Sequence, residues 1–209
     1  MKTFAFLFLL STFLLTGCAT KNDLSTFYAH RPKSIVVVPV VNESPQVTAS
    51  SVFLTTITRP LVERGYYVFP VYLTDMVLRD FGLTEAGHIH QLPPSKFNEV
   101  FGADAVLFIT IKDWSTKYMV LVSTVTVEME YVLKDTKTGE ILWQHTQPYV
   151  YTSNGGGNPI VALVSAAMTA LLVDYLPLAR AANVEAFKEP FGLPAGQYHP
   201  DFEKDKDRF

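Results

Sequence analysis

The sequence predicts an α/β (α+β) domain: a βαβα(α)β parallel half, extended by an antiparallel hairpin and closed by a carboxyl-terminal apolar helix. Three observations carry this. Short continuous apolar runs, Ser34–Val41 (SIVVVPVV) and Ala105–Ile111 (AVLFITI), have the character of strands covered on both faces. Segments with helical spacing separate them. From Met119 onward the pattern changes to strict alternation, as in a strand with one wet face.

The elements follow in order. In Ser34–Val41, Pro39 cannot donate to a ladder, so regular pairing ends near Val38 or bulges there. Asn42-Glu43-Ser44-Pro45 is turn chemistry. From about Val47 to Arg64, Val47, Leu54, Ile57 and Leu61 place an apolar stripe on one helical face, with a kink expected at Pro60 and closure at Gly65. Tyr66–Val71 (YYVFPV) reads as the second strand. Leu73–Phe81 reads as a helix with Thr74 as a possible cap, and Pro93-Pro94-Ser95 opens a short helix to Phe101. Right-handed crossovers make such an order a parallel sheet.

Between Met119 and Leu133 the odd positions include Leu121, Val125, Val127, Met129 and Tyr131, and the even ones Thr124, Thr126, Glu128 and Glu130. Asp135-Thr136-Lys137-Thr138-Gly139 forms a hairpin loop, and Glu140–Gln147 returns with Ile141 and Trp143 on the apolar side. Gly155-Gly156-Gly157 is a joint, Asn158 caps, and Pro159 opens a helix extending to about 176. Its body, Ile160–Val173, is apolar almost all round. At 14 residues it is short for a membrane span, so packing on the sheet or on another subunit is the expectation.

The chain's ends read differently. Lys2 and the apolar stretch Phe4–Leu15 have the make-up of an export signal. Leu15-Thr16-Gly17-Cys18 then resembles the lipobox of bacterial lipoproteins, in which the cysteine thiol is acylated and the chain is cut before it. Two or more acyl chains anchor a protein stably, at about 0.8 kcal/mol per buried methylene. Ala19 follows in place of the aspartate that commonly retains lipoproteins at the inner membrane, which directs the expectation to the periplasmic face of the outer membrane. The expected divisions are a signal peptide (1–17), a lipidated tether (18–33), one α/β domain (34–187) and an extended or disordered tail (188–209) rich in proline and charge.

Losing 17 of the 209 residues leaves 192 and removes one lysine, so the formal charge moves from −3 to −4. Mild acidity argues against nucleic acid. With the sole cysteine acylated, no disulfide or thiol chemistry remains. His88 and His90 with Glu85 could begin a metal site, yet no further ligand follows at a diagnostic spacing, and the segment reads as a surface loop. The triple glycine lacks a following Lys-Ser/Thr and reads as a hinge, not a phosphate cradle. Asp104 and Asp113 flank one strand and read as strand-end caps. Trp114, Tyr118, Trp143, Tyr149 and Tyr151 read as core aromatics. No catalytic, cofactor or metal residue is expected, and Cys18 is the one assigned site.

Pro39–Val71 (PVVNESPQVTASSVFLTTITRPLVERGYYVFPV), Gly102–Trp114 (GADAVLFITIKDW), Tyr131–Trp143 (YVLKDTKTGEILW) and the glycine run with its apolar helix resemble a family of bacterial lipoproteins whose domain has no assigned function. More distantly, the βαβα order, the GADAV strand and the TGE-x-LW hairpin are similar to the amino-terminal domain of TolB and to the periplasmic domain of the curli-secretion channel lipoprotein. That resemblance implies an anticodon-binding-like sandwich and an envelope assembly role. The expected function is a non-enzymatic binding or assembly component of an envelope secretion or transport system, with other envelope proteins or a second copy as partners. The alternative is a small-ligand site at the carboxyl ends of the parallel strands, formed by the loops after Val41, Val71 and Ile111. A hydrolase is a third reading and requires a polar cluster at the same loops.

Overall fold

Valine-rich β1 (Ser34–Val37) is an interior strand of a mixed sheet, with Ile35, Val36 and Val37 all buried, as a strand covered on both faces requires. The computed structural model describes residues 23–119, 122–154 and 175–209. The signal segment, Cys18, the triple glycine and the apolar helix expected over 160–173 lie outside the described residues. Pro39 interrupts the first strand as expected, and pairing resumes at β2 (Val41–Asn42). β3 (Tyr67–Val68), β1 and β4 (Ala105–Met119) run parallel, with Ser34 opposite Tyr67 and Ile35 opposite Ala105. β5 (Val122–Asp135) and β6 (Ile141–Asn154) continue the sheet antiparallel, giving the order β3-β1-β4-β5-β6, with β2 also on β4.

The kinked helix expected from Val47 to Arg64 is two helices, α2 (Ala49–Leu54) and α3 (Thr58–Glu63). Pro60 excludes the carbonyl four residues earlier, at Thr56, so the break falls there and not at the proline. Pro60 itself sits in the first turn of α3, where an amide has no partner to lose. Thr55 and Thr56 donate their hydroxyls to Val52 O (2.7 Å) and Phe53 O (2.8 Å), satisfying carbonyls at the break. Gly65 then adopts φ +81°, where an added Cβ would also strike the backbone of His199.

α4 (Val71–Asp80), α5 (Ala86–His90) and α6 (Ser95–Phe101) follow β3. Thr74 is a buried residue within α4 and not its cap. The His88-Ile89-His90 segment, read from sequence as a surface loop, is helical because Ile89 is fully buried. Leu78, Ile89 and Phe97 cover Val36, Val106 and Phe108 on one face of the sheet. On the other face, Phe53, Leu61 and the helix α7 (Tyr175–Ala186) cover Ile35, Leu107, Ile109 and Tyr131. Lys112 is the extra residue of a bulge between Ile111 and Asp113, and it shifts the parity so that Trp114 joins Ile111 on the same buried face.

A second register shift corrects the expected apolar side of β6. Lys134 pairs with Ile141 and Leu133 with Trp143, so Leu142 is the additional residue. Trp143 and Leu142 are buried, whereas Ile141 turns outward and is 47% exposed. The strand also runs past Pro148, to Asn154, because β6 has β5 on one side only among the described strands.

Both ends are more ordered than composition alone suggests. Within the expected tether, Ser25–His30 forms α1, and Leu24 and Phe27 enter the main core. The segment 188–209, expected to be extended or disordered, is packed: Leu193, Ala195 and Phe209 are buried. It lacks the apolar area for a core of its own but needs only these few side chains to join one built by other elements. Tyr66 Oη donates to Pro194 O (2.6 Å), and Gly196 N and Tyr198 N donate to Arg64 O and Gly65 O.

Candidate functional site

Of the polar residues singled out in the sequence, Asp104, Asp113 and His90 are held apart and engaged in structural bonds. Asp104 Oδ2 accepts from Lys33 N (3.0 Å), Ser34 N (3.1 Å) and Ser34 Oγ (3.1 Å), which ties the start of β4 to the start of β1. Asp113 accepts from Ser115 Oγ (2.9 Å) nine residues along the strand, roughly 30 Å away at the rise of a β-strand, so the two carboxylates form no pair. His90 Nε2 lies 2.9 Å from Pro39 O, and its ring meets Phe108 edge-on. Among the described residues no group of three or more His, Cys, Asp or Glu side chains is arranged to hold a metal ion. Trp114 and Trp143 are buried and Tyr149 packs against the core.

The loops proposed for a ligand at the parallel strand ends are occupied by the protein's own groups. After Val41, Asn42 Nδ2 donates to Gln46 O (2.7 Å), and Asn42 Oδ1 accepts from Ser44 N (3.0 Å) and Ser44 Oγ (2.7 Å). Val71 is no loop but the first residue of α4. After Ile111, the bulged Lys112 lies 3.3 Å from Glu43 and 3.2 Å from Glu130, and these carboxylates raise its affinity for its proton.

Among the described residues, β6 is the last strand of the sheet, and its far part is the margin left open. The parallel half is covered on both faces, but the second apolar cluster reaches only as far as Val132. Beyond it, β5 and β6 turn Glu128, Glu130, Gln144 and Thr146 outward, and Val150 is 57% exposed. Two grooves run along this margin. One, of about 230 Å³, is lined by Glu130, Tyr131, Gln144, His145 and Thr146. The other, of about 320 Å³, lies between Asp23 and Leu24 at the start of α1 and Ile141–Gln144 at the start of β6. Sequence reasoning located the hairpin and its wet face. It did not locate the margin, since which strand forms an edge is a property of topology.

At the base of this margin, His30 clamps α1 to the hairpin: Nδ1 lies 2.9 Å from Asp135 Oδ2 and Nε2 lies 2.9 Å from Glu140 Oε2. Burial works to raise the Asp135 carboxyl, but donation from the Thr138 amide, His30 and the Lys137 amide outweighs it and holds the group below its ordinary range. Burial pushes the His90 imidazole down, against the hydrogen bond to Pro39 O. Both groups bind protons more weakly folded than unfolded, so both contribute stability that is present at neutral pH and lost on acidification. The His90 contribution fades as pH falls below about 6.5, and that of Asp135 below about 3.9. Urea midpoints measured from pH 7.5 to 3 should therefore fall in two stages. His90→Gln should flatten the first and Asp135→Asn the second; an unchanged pH profile in either variant refutes that assignment.

A family model described as "Putative lipoprotein GNA1162-like" matches residues 22–184. "Putative lipoprotein NMB1124/NMB1162" of Neisseria meningitidis serogroup B (strain ATCC BAA-335 / MC58) is 39% identical over 145 residues, covering 69% of this chain and 67% of its own. The crystal structure of lipoprotein GNA1162 from Neisseria meningitidis is 35% identical with a TM-score of 0.57, covering 68% of this chain and 99% of that one. A PelC dodecamer from Paraburkholderia phytofirmans is similar at 16% identity and a TM-score of 0.43, over 70% of this chain and 90% of that one.

Proposed function

We propose, from the premise that this chain belongs to the GNA1162-like lipoprotein family, that it is a non-enzymatic binding or assembly component of the cell envelope. In this reading Cys18 carries the lipid, Ala19 directs the protein to the periplasmic face of the outer membrane, and the folded domain engages other envelope proteins in a secretion or transport assembly. The observation that carries the binding role is the β6 margin. A strand of 14 residues with a single neighbour among the described strands offers a row of main-chain donors and acceptors, beside a polar face and two grooves. The engagement of His90, Asp104 and Asp113 in strand-end and turn contacts supports binding over catalysis.

Crosslinking in intact cells, followed by identification of the captured proteins, tests this. The natural chain is expected to yield discrete adducts. Val150→Lys, which places on the edge strand the charge that proteins use to blunt such edges, should reduce them several-fold without altering the melting temperature. Recovery of monomer alone under several crosslinker chemistries would sink the proposal.

A further inference from the structure

We infer that the corner formed by the start of α1 and the start of β6 faces the lipid bilayer, and that the far end of β6 and the outer face of α4 stand away from it. The inference rests on acylation of Cys18. Four residues separate that cysteine from Asp23, so a fully extended tether of five residue steps reaches at most about 18 Å. The described domain begins at Asp23 itself, which lines the groove with Leu24 and Ile141–Gln144. Leu24 and Phe27 fix the start of α1 in the core, and His30 fixes its end to Asp135 and Glu140, so the attachment point is rigid with respect to the sheet.

The corner also carries apolar side chains suited to a lipid surface. The register shift in β6 turns Ile141 outward, 47% exposed. Phe191, 41% exposed, is held to the first half of β6: its carbonyl accepts from Trp143 Nε1 at 3.0 Å and its ring stacks on His145 at 6.2 Å. Other exposed apolar residues, Tyr72, Leu73 and Met76, are on α4, which packs on β1, three strands away from β6 and about 14 Å across the sheet. Val150 lies nine residues up β6 from Ile141, about 30 Å along the strand. A short tether at one corner thus brings Ile141 and Phe191 to the bilayer and leaves Val150 and the α4 patch free for proteins.

The sole cysteine is the acylated one, so an introduced cysteine is the only reactive thiol. Full-length acylated Ile141→Cys, Tyr72→Cys and Val150→Cys chains, each carrying one fluorophore, are bound to vesicles of phosphatidylethanolamine and phosphatidylglycerol with nitroxide on the headgroups. Quenching at 141 is expected to exceed that at 72 and 150 several-fold, and Phe191→Cys provides a second label for the same corner. Inserting a flexible Gly/Ser run of about 20 residues after Lys21 should largely erase the difference, since it permits excursions of about 25 Å. Equal quenching in the natural-length chain, or the strongest signal at 72 or 150, overturns the orientation while leaving the anchor intact. Residue 18 without acyl groups by intact mass overturns both.

Discussion

Asp205→Ala is expected to lower the melting temperature by on the order of 10 °C, the result of a loss of about 3–5 kcal/mol in a chain of this length. Asp205 is 1% exposed, in a segment whose composition alone gives it no reason to fold. One carboxylate oxygen accepts both from Arg64 Nη2 (2.9 Å) and from Ala195 N (2.8 Å). Arg64 in turn donates Nε to Leu193 O (2.8 Å) and lies over the buried Phe209 ring at 5.1 Å. Removing the carboxylate leaves a largely buried guanidinium without its counter-charge, which costs more than the pair itself contributes. Asp205→Asn keeps the shape and an acceptor while losing the charge, so its loss should be smaller. Thermal and urea unfolding check both, and limited proteolysis should show the alanine variant cut within 188–209 first. A melting temperature within two degrees or so of the natural chain would mean that the segment is held mainly by its apolar contacts.

That segment shows where sequence reasoning stops. Its prolines and charges identify a chain that cannot build a core, and this is correct. Whether it joins a core built elsewhere depends on Leu193, Ala195 and Phe209 meeting surfaces presented by distant residues. The same holds for α1, where one buried phenylalanine outweighs a polar neighbourhood. Local patterning sufficed where burial follows a period: β1, the first part of β4, and the alternation of Val125, Val127, Met129 and Tyr131 all lie as read. It failed where a bulge changes the parity, as at Ile141, because an extra residue has no local signature. The candidate site divides in the same way. The proposed lipid attachment at Cys18 rests on a motif and is read from sequence, but the β6 margin exists only once the strand order is known.

Trp143→Ala should cost about 3–5 kcal/mol, the usual range for emptying a buried large aromatic site. The indole is 2% exposed and meets Tyr131 at 5.9 Å, Phe187 at 5.5 Å and His145 at 6.0 Å, and it thereby joins β5, β6 and the residue that follows α7. Trp143→Phe separates two contributions: it retains most of the aromatic packing and forfeits the hydrogen bond to Phe191 O, an expected loss of about 1 kcal/mol. The double variant Trp143→Ala, Asp205→Ala is the more informative measurement. Both residues hold the 188–209 segment, Trp143 at Phe191 and Asp205 at Ala195 and Arg64. If the segment docks as one unit, releasing it at either point already forfeits part of what the other holds, and the combined loss falls short of the sum by about 1 kcal/mol or more. Strict additivity would show instead that its two ends are held independently, so that the Trp143–Phe191 contact can open without loosening the Arg64–Asp205 pair.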